Sequence, residues 1–147
     1  MGSFAIGLSA RIKSGGDSPL VLLEALRDRL TLIPGVATCR IGLEENICPD
    51  DYPIIRLVPS RLLSGYALTA RKAELLIYFG MPIAPFDEEP DDDGRVRLEK
   101  LYAALFETEG LIRAEIITMG GVYLETITDE DRLDTYKLMA IRCEVSG

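Results

Sequence analysis

The sequence predicts an α+β fold, in which a mostly antiparallel sheet carries two amphipathic helices on one face and ends in a long C-terminal hairpin. Three observations lead to this prediction. Two segments repeat apolar residues at helical spacing, several shorter segments alternate apolar and polar residues, and the last quarter consists of β-forming stretches separated by turns. Because 147 residues is the size of one domain, we expect a single α+β domain over residues 17–147, preceded by a strand or extended arm over residues 1–16.

The N-terminal segment alternates with a period of two. Apolar residues occupy every second position from Phe4 to Ile12, including Ile6 and Leu8. This period predicts a strand or an extended arm. A segment that packs on its own sheet and a segment that packs on a neighbouring subunit would show the same pattern, so both interpretations stay open.

The first helix is predicted over residues 19–33. Ser18 is a suitable N-cap, and Pro19 can occupy the first helical position because its missing N–H needs no partner there. Pro34 and Gly35 should end the helix, since proline interrupts helical hydrogen bonding and glycine adopts the left-handed cap. The predicted buried stripe consists of Leu23, Leu26, Leu30 and Ile33.

The middle of the chain is expected to form strands, beginning with a short one over residues 36–43. Residues 54–58 form the next, which Pro59 should end or place at a sheet edge because proline cannot donate to the hydrogen-bond ladder. Residues 60–70 have no clear period and are expected to form a loop. Residues 71–80 then alternate strongly and predict a strand. Its buried row should be Ala73, Leu75, Ile77 and Phe79.

An acidic run precedes the second helix, and six of the seven residues 87–93 are Asp or Glu. We expect a solvated loop whose last aspartates favour the helix N-terminus. A Ca²⁺ or Mg²⁺ site is the alternative, although the spaced ligands and glycine of an EF-hand are missing. The helix is predicted over residues 95–109, with Gly110 as its cap. Its core-facing residues should be Leu98, Leu101, Tyr102, Leu105 and Phe106.

The C-terminal segment is expected to contribute three strands. Alternation predicts the first over residues 112–116, and Gly120-Gly121 supplies the positive φ angles of a hairpin leading to the second, residues 122–127. The turn that follows is acidic and contains Asp129, Glu130 and Asp131. The last strand, residues 135–145, should lie inside the sheet because its centre is apolar on both faces.

Composition narrows the possible functions. A net charge of −8 argues against a nucleic-acid clamp, because phosphate binding relies on clustered Lys and Arg. The sequence contains no His, the commonest general base and zinc ligand, and neither a nucleophile elbow nor a phosphate-binding motif occurs. We therefore expect no enzyme activity, no cofactor and no metal.

The cysteines and the apolar segments indicate the compartment. Cys39, Cys48 and Cys143 lack metal-ligand spacing and are expected to be small, buried or half-buried side chains in a reducing environment. No apolar stretch approaches the roughly 20 residues that cross a bilayer. No signal peptide is evident either, so an intracellular location is expected.

Several segments together resemble a known family. They are the helix closing in residues 32–36, the strands at 52–57 and 73–79, the helix at 101–106 and the final strand at 136–145. In order and spacing, these segments resemble the tail terminator proteins of long-tailed bacteriophages and prophages, also called neck or tail completion proteins. The similarity covers nearly the whole chain from Pro19 onward.

The resemblance implies a structural virion protein with no catalytic residue. Such a subunit would form a homohexameric ring on the tail tube protein, stop tube polymerisation and offer a surface to the head-completion or connector protein. Packaged DNA would pass through the lumen without specific binding, with which the acidic charge is compatible. The implied location is the tail or neck of the virion, after assembly in the host cytoplasm and without membrane contact.

Ring subunits of this kind use edge strands, loops and extended arms for contact. The interface candidates that follow are Phe4, Ile6, Leu8, Arg61, Leu62, Leu63, Tyr66, Asp129, Glu130 and Asp131. Two alternatives remain. One is another connector, head-completion or minor tail subunit of the phage neck, and the other is a stand-alone acidic binding domain without catalysis.

Overall fold

The computed structural model describes residues 19–64, 71–83, 95–128 and 136–146. In chain order the elements are helix α1 (Pro19–Leu30), strand β1 (Thr38–Ile41), a 3-10 turn (Pro49–Asp51), β2 (Ile54–Ser64), β3 (Arg71–Pro82), helix α2 (Arg95–Thr118), β4 (Val122–Thr128) and β5 (Tyr136–Ser146). The predicted N-terminal strand or arm and the acidic run at 87–93 lie outside the described residues. Within the described ranges, neither helix combines the length and apolarity needed to cross a membrane.

The strands of the described residues form one sheet in the order β1-β2-β3-β5-β4. β1 runs parallel to β2, whereas the other neighbouring pairs are antiparallel. The predicted α+β class, with a mostly antiparallel sheet and a C-terminal β4–β5 hairpin, is therefore confirmed. β5 lies between β3 and β4, which confirms its predicted interior position.

The core lies between the two helices and one face of the sheet. The stripe predicted for α1 is buried, and so is the row predicted for β3. α2 adds Leu101, Leu105, Ile112 and Ile116, and β5 adds Met139, Ile141, Cys143 and Val145. Each fully buried Leu or Ile side chain stabilises the fold by about 1.5–3 kcal/mol. This shared cluster fixes both helices on the same face.

Helix α2 is nine residues longer than predicted and runs to Thr118. The predicted cap at Gly110 and the strand at 112–116 are therefore wrong. Ile112 and Ile116 are four positions apart, a spacing that suits one helix face as well as one strand face, and both are fully buried. Gly110 lies inside this helix, where glycine costs about 1 kcal/mol of stability relative to alanine. The packing of the two isoleucines offsets this cost.

Two glycines end α2 and were wrongly predicted to form a hairpin. Gly120 has φ +83°, and its N–H donates to Ile117 O at 2.9 Å. The N–H of Gly121 donates to Ile116 O at 2.9 Å, which completes a Schellman motif. A Cβ at Gly121 would lie 2.9 Å from Glu144 O, so this position also lets the helix end approach β5. Left-handed glycine serves both helix caps and hairpins, which explains the error.

Strand β2 continues through Pro59 to Ser64, so the predicted strand end at residue 58 and the loop over residues 60–64 are wrong. A β-bulge between Pro59 and Arg61 shifts the register of β2 against β3, so the strand continues past the proline. β1 pairs with β2 only as far as Leu57. Pro59 therefore lies where β2 has one described neighbour, which confirms the expectation that it occupies an edge. Residues 65–70 are outside the described ranges.

Two residues expected in the interior lie at the surface. Phe106 is 54% exposed although its ring contacts that of Tyr102, with centroids 5.8 Å apart. It faces the side of α2 next to β4, beyond which the described residues provide no further layer. Cys48 is exposed, whereas Cys39 is partly buried and Cys143 is buried, as expected.

Candidate assembly interface

The structure places three of the interface candidates together on β2. Arg61, Leu62 and Leu63 follow the bulge, and the side chain of Arg61 is 70% exposed. Leu62 is 51% exposed, and Leu63 is partly buried. The remaining candidates lie outside the described residues; they are Phe4, Ile6, Leu8, Tyr66, Asp129, Glu130 and Asp131.

These three residues belong to one of two lateral margins of the sheet. We call β1 together with residues 58–64 of β2 the β1–β2 margin. The opposite margin, which we call the β4 margin, consists of β4 with Phe106 and Ile117 of α2. Among the described strands, both β1 and β4 have a neighbour on one side only. The outer sides of both strands therefore have no partner strand among the described residues.

A buried arginine holds the β1–β2 margin together. Arg56 is fully buried on β2, and its Nε donates to Glu44 Oε1 at 2.7 Å while Nη2 donates to Glu44 Oε2 at 3.1 Å. Its Nη1 donates to Thr38 O, Thr38 Oγ1 and Ile55 O at 3.0–3.2 Å. One guanidinium thus joins β1, β2 and the connection between them, and every nitrogen has an acceptor.

The same arginine changes the acidity of its partner. Its hydrogen bonds lower the pKa of the Glu44 carboxyl to about 2, and Arg40, whose Nη1 lies 3.1 Å from Glu44 Oε2, acts in the same direction. Glu44 therefore remains ionised well into the acid range. Its charge compensates the buried guanidinium, which could not otherwise be held in the interior.

The β4 margin has a different character because apolar side chains dominate it. Val122, Leu124 and Ile127 of β4 are 53%, 39% and 43% exposed. Phe106 and Ile117 of α2 are 54% and 59% exposed. They are eleven positions apart, close to three helical turns, and so lie on the same side of α2. We call these five side chains the apolar strip, although they do not share one face: Val122 and Ile127 lie on the sheet face away from the helices, and Phe106 and Ile117 lie on the helix side. The described residues leave all five exposed.

Polar contacts fix β4 against α2 on the helix side of the sheet. Thr126 Oγ1 donates to Glu109 Oε2 at 2.7 Å and shares a 2.6 Å hydrogen bond with the Tyr123 hydroxyl. The guanidinium of Arg113 lies 5.4 Å from the Tyr123 ring centroid, and its Nη2 is 3.3 Å from Glu109 Oε1. These contacts give β4 a defined position against α2.

Ionic contacts cross the sheet face that the helices leave uncovered. Arg142 of β5 donates to Glu74 of β3 from Nη2 at 2.8 Å and also bonds Glu125 of β4. These carboxylates raise the pKa of Arg142, so its charge is permanent. Glu125 is thereby held at the centre of β4 with about half of its side chain exposed to solvent. It is an anionic group placed directly at the β4 edge.

The helices enclose a groove of about 320 Å³ at their C-terminal halves. Its walls include Leu32, Leu111 and Ala114, and the ion pair between Arg29 Nε and Glu115 Oε1 closes at 2.8 Å beside them. Elsewhere, Lys137 is buried with its Nζ 5.8 Å from the Tyr102 ring centroid and without a hydrogen-bond partner among the described residues. Neither feature joins a wider polar cluster.

Potential metal ligands and thiols are separated. Within residues 19–64, 71–83, 95–128 and 136–146, no three Cys, Asp or Glu side chains converge as a metal site would require. Burial raises the pKa of the Cys143 thiol to about 12 and also raises that of Cys39. Both thiols are therefore protonated near neutral pH, and nucleophilic chemistry needs the thiolate.

Sequence reasoning did not single out the β4 margin as a candidate interface. The signal was present, because residues 122–127 include three large apolar side chains in an edge strand, but the pattern does not show which strand has a free side. No protein-family model matches this chain, and no curated protein is significantly similar to it in sequence. The two margins are therefore the features of the molecule that bear on its function.

Proposed function

We propose that the protein is a structural subunit that assembles into a closed ring and acts as a tail terminator at the end of a phage tail tube. The observation that supports this proposal most directly is the pair of unlike margins. The β4 margin is apolar and carries Glu125, whereas the β1–β2 margin carries the exposed Arg61. Two different surfaces favour head-to-tail contacts, and such contacts generate rings when the rotation closes.

The exposed apolar strip is consistent with a buried contact in the assembly. Five large apolar side chains along one edge exceed the scattered exposure that is normal for a monomer. In the proposed function this strip is covered by a neighbouring subunit, and the ring occupies the tube end with its acidic charge turned toward passing DNA. The resemblance in element order supplies the position in the particle.

Mass photometry of the full chain, alone and with the tail tube protein of the same virus, tests this proposal. We expect a single ring-sized species, formed either by the protein alone or on addition of tube protein. A strict monomer in both conditions would contradict it. Negative-stain images of particles that lack the protein then distinguish the neck roles: loss of a terminator gives overlong tubes, whereas loss of a head-completion protein gives leaky heads.

A further inference from the structure

A row of alternating charges crosses the open face of the sheet, by which we mean the face away from the two helices. Arg61 Nε of β2 lies 3.4 Å from Glu74 Oε1 of β3, and Arg142 Nη2 of β5 lies 2.8 Å from Glu74 Oε2. Arg142 also bonds Glu125 of β4. The row therefore begins with an exposed cation at the β1–β2 margin and ends with a half-exposed carboxylate at the β4 margin.

The second half of β2 is an edge of the described sheet. β1 pairs with β2 as far as Leu57, and the N–H of Gly42 donates to Leu57 O at 2.7 Å. β1 ends at Ile41, and Gly42, with φ +92°, leads the chain out of the strand. From residue 58 onward, β3 is the one neighbour of β2 among the described strands. This edge, residues 58–64, has seven residues, as does β4.

Pairing of either edge with its own copy is disfavoured by charge. Glu125 is the middle residue of Val122–Thr128, and Arg61 is the middle residue of 58–64. Antiparallel pairing of two identical edges about their centres would therefore place Glu125 opposite Glu125, or Arg61 opposite Arg61. Like charges directly opposite each other destabilise a strand pair, whereas opposite charges stabilise it. The two unlike edges are thus the complementary ones.

We propose that β4 of one copy pairs with residues 58–63 of β2 in a second copy, so that Glu125 faces Arg61 of that copy. This inference rests on the proposed function, because it specifies the contact between neighbouring ring subunits. Within one sheet, β4 runs antiparallel to β2, since three antiparallel pairings separate them. Copies that stand side by side around an axis along the strands therefore bring the two edges together as an antiparallel pair.

The charge pair sets a register in which side chains of the same face meet. β2 has a bulge between Pro59 and Arg61, and β4 has one between Tyr123 and Glu125. In the proposed pairing these bulges lie on opposite sides of the charge pair, one on each strand, so the two faces stay matched along six residues of both strands. On the open face the pairs are Val122 with Leu63, Glu125 with Arg61, and Ile127 with Val58; on the helix side they are Tyr123 with Leu62, and Thr126 with Pro59.

The pairing covers exposed apolar side chains on both edges. Val122 and Ile127 are exposed and would lie beside the partly buried Leu63 and Val58 of the second copy. Leu62, which is 51% exposed on the helix side, would be covered in the same contact. The row of alternating charges would then continue from one copy into the next without two like charges meeting.

The irregularity of the β2 edge favours this occupant over an unrelated strand. Pro59 has no N–H, so one hydrogen bond of the ladder is missing, and the bulge interrupts the regular spacing of the edge. Proline, a bulge and an exposed cation are features with which proteins prevent strand addition. A strand that has its own bulge and a carboxylate at the matching position meets these features, and β4 has both.

Two complementary charge reversals test the contact. One full-length chain carries Glu125→Lys and another carries Arg61→Glu. Under the conditions in which the unmodified chain assembles, each variant alone should associate at least about tenfold more weakly, because like charges then face each other. An equimolar mixture should recover the association, since each altered edge then meets an edge of opposite charge. Glu107→Lys, the same change of charge at an exposed position of α2, is the control and should leave association unchanged.

Disulfide trapping tests the register with both charges in place. One full-length chain carries Val122→Cys, another carries Leu63→Cys and a size tag, and both carry Cys48→Ser to remove the exposed native thiol. Three interstrand steps of about 4.8 Å separate β2 from β4 within one chain, so a disulfide at this pair can form only between copies. We expect a cross-linked heterodimer on a non-reducing gel. The control replaces Leu63→Cys with Leu43→Cys, beyond the end of β1, and should give no cross-link.

The contrary outcomes separate this contact from the proposed function. Circular dichroism first verifies that each variant is folded. Folded charge variants that assemble like the unmodified chain, or whose mixture recovers nothing, contradict the charge pairing. An assembled ring that gives no cross-link between Val122→Cys and Leu63→Cys, or that gives one to Leu43→Cys, contradicts the contact and leaves the proposed function standing. An unmodified chain that stays monomeric at all concentrations and with tube protein contradicts both.

Discussion

The two margins of the sheet are stabilised by opposite means. At the β1–β2 margin a buried guanidinium, Arg56, has all its donors satisfied and joins three segments of the chain. At the β4 margin one strand pairing and a few polar contacts to α2 hold the edge, while its apolar side chains remain exposed. Contacts within the chain fix the first margin, whereas the second leaves apolar side chains exposed among the described residues.

The largest expected effect is at the β1–β2 margin. Arg56→Leu should lower the free energy of unfolding by about 3 kcal/mol, since breaking a buried, hydrogen-bonded ion pair leaves its acceptors without a donor. Urea denaturation measures the change. Arg40→Leu is the matched control because Arg40 is 54% exposed and pairs with the same carboxylate, and it should cost less than about 0.5 kcal/mol. Equal losses of stability in the two variants would contradict the expected difference between a buried and a surface ion pair.

A pair of glycine substitutions tests how the β4 margin is connected to its helix. Gly120→Ala should destabilise the protein by about 1 kcal/mol because alanine is strained at φ +83°. Gly110→Ala should stabilise it by about 0.5–1 kcal/mol, because Gly110 is inside α2 and a Cβ there meets nothing within 4 Å. Thermal melting measures whether each substitution lowers or raises the melting temperature. Loss of stability in both variants would indicate a chain reversal at residue 110 in place of the continuous helix.

The smallest expected effect is a loss of stability that is present at neutral pH and fades in acid. The folded pKa of Glu44, about 2, lies below the ordinary value of 4.5, so its contribution to stability is complete above pH 4.5 and declines as the pH falls toward 2. Glu44→Gln should therefore be less stable than the unmodified protein at pH 7, and the difference should narrow at pH 3. Urea midpoints at both pH values measure it, with the exposed Glu45→Gln as control. A difference that stays constant would mean that the carboxylate charge does not hold this margin.

The interior strands of the sheet could be predicted from the sequence because their alternating apolar residues are compatible with a strand and not with a helix. In β3 and β5 four alternate positions in succession are apolar, at 73–79 and 139–145, and a helix cannot bury such a row on one side. The C-terminal half of α2 could not be predicted in the same way. Ile112 and Ile116 satisfy both periods, and the preceding glycine resembles a helix end. Contacts with the core decide between them.

The two margins depend on tertiary neighbours and were harder to predict. Arg56 stands out as the single charge in an apolar strand, but its partner Glu44 is in a polar connection that reaches it only because β1 pairs in parallel with β2. Val122 and Ile127 read as ordinary strand residues until the strand order leaves β4 at the edge. Whether a strand residue is exposed depends on the strand order of the whole sheet, and a local sequence pattern does not show that order.

The position of Cys143 has a practical consequence for studying this chain. Its thiol is fully buried in β5 and remains protonated near neutral pH, so alkylating reagents can modify it only after the β5 ladder separates. Cys48, on the surface of the same molecule, provides the labelling rate of an accessible thiol. The ratio of the two rates reports how often the sheet opens, with no probe introduced.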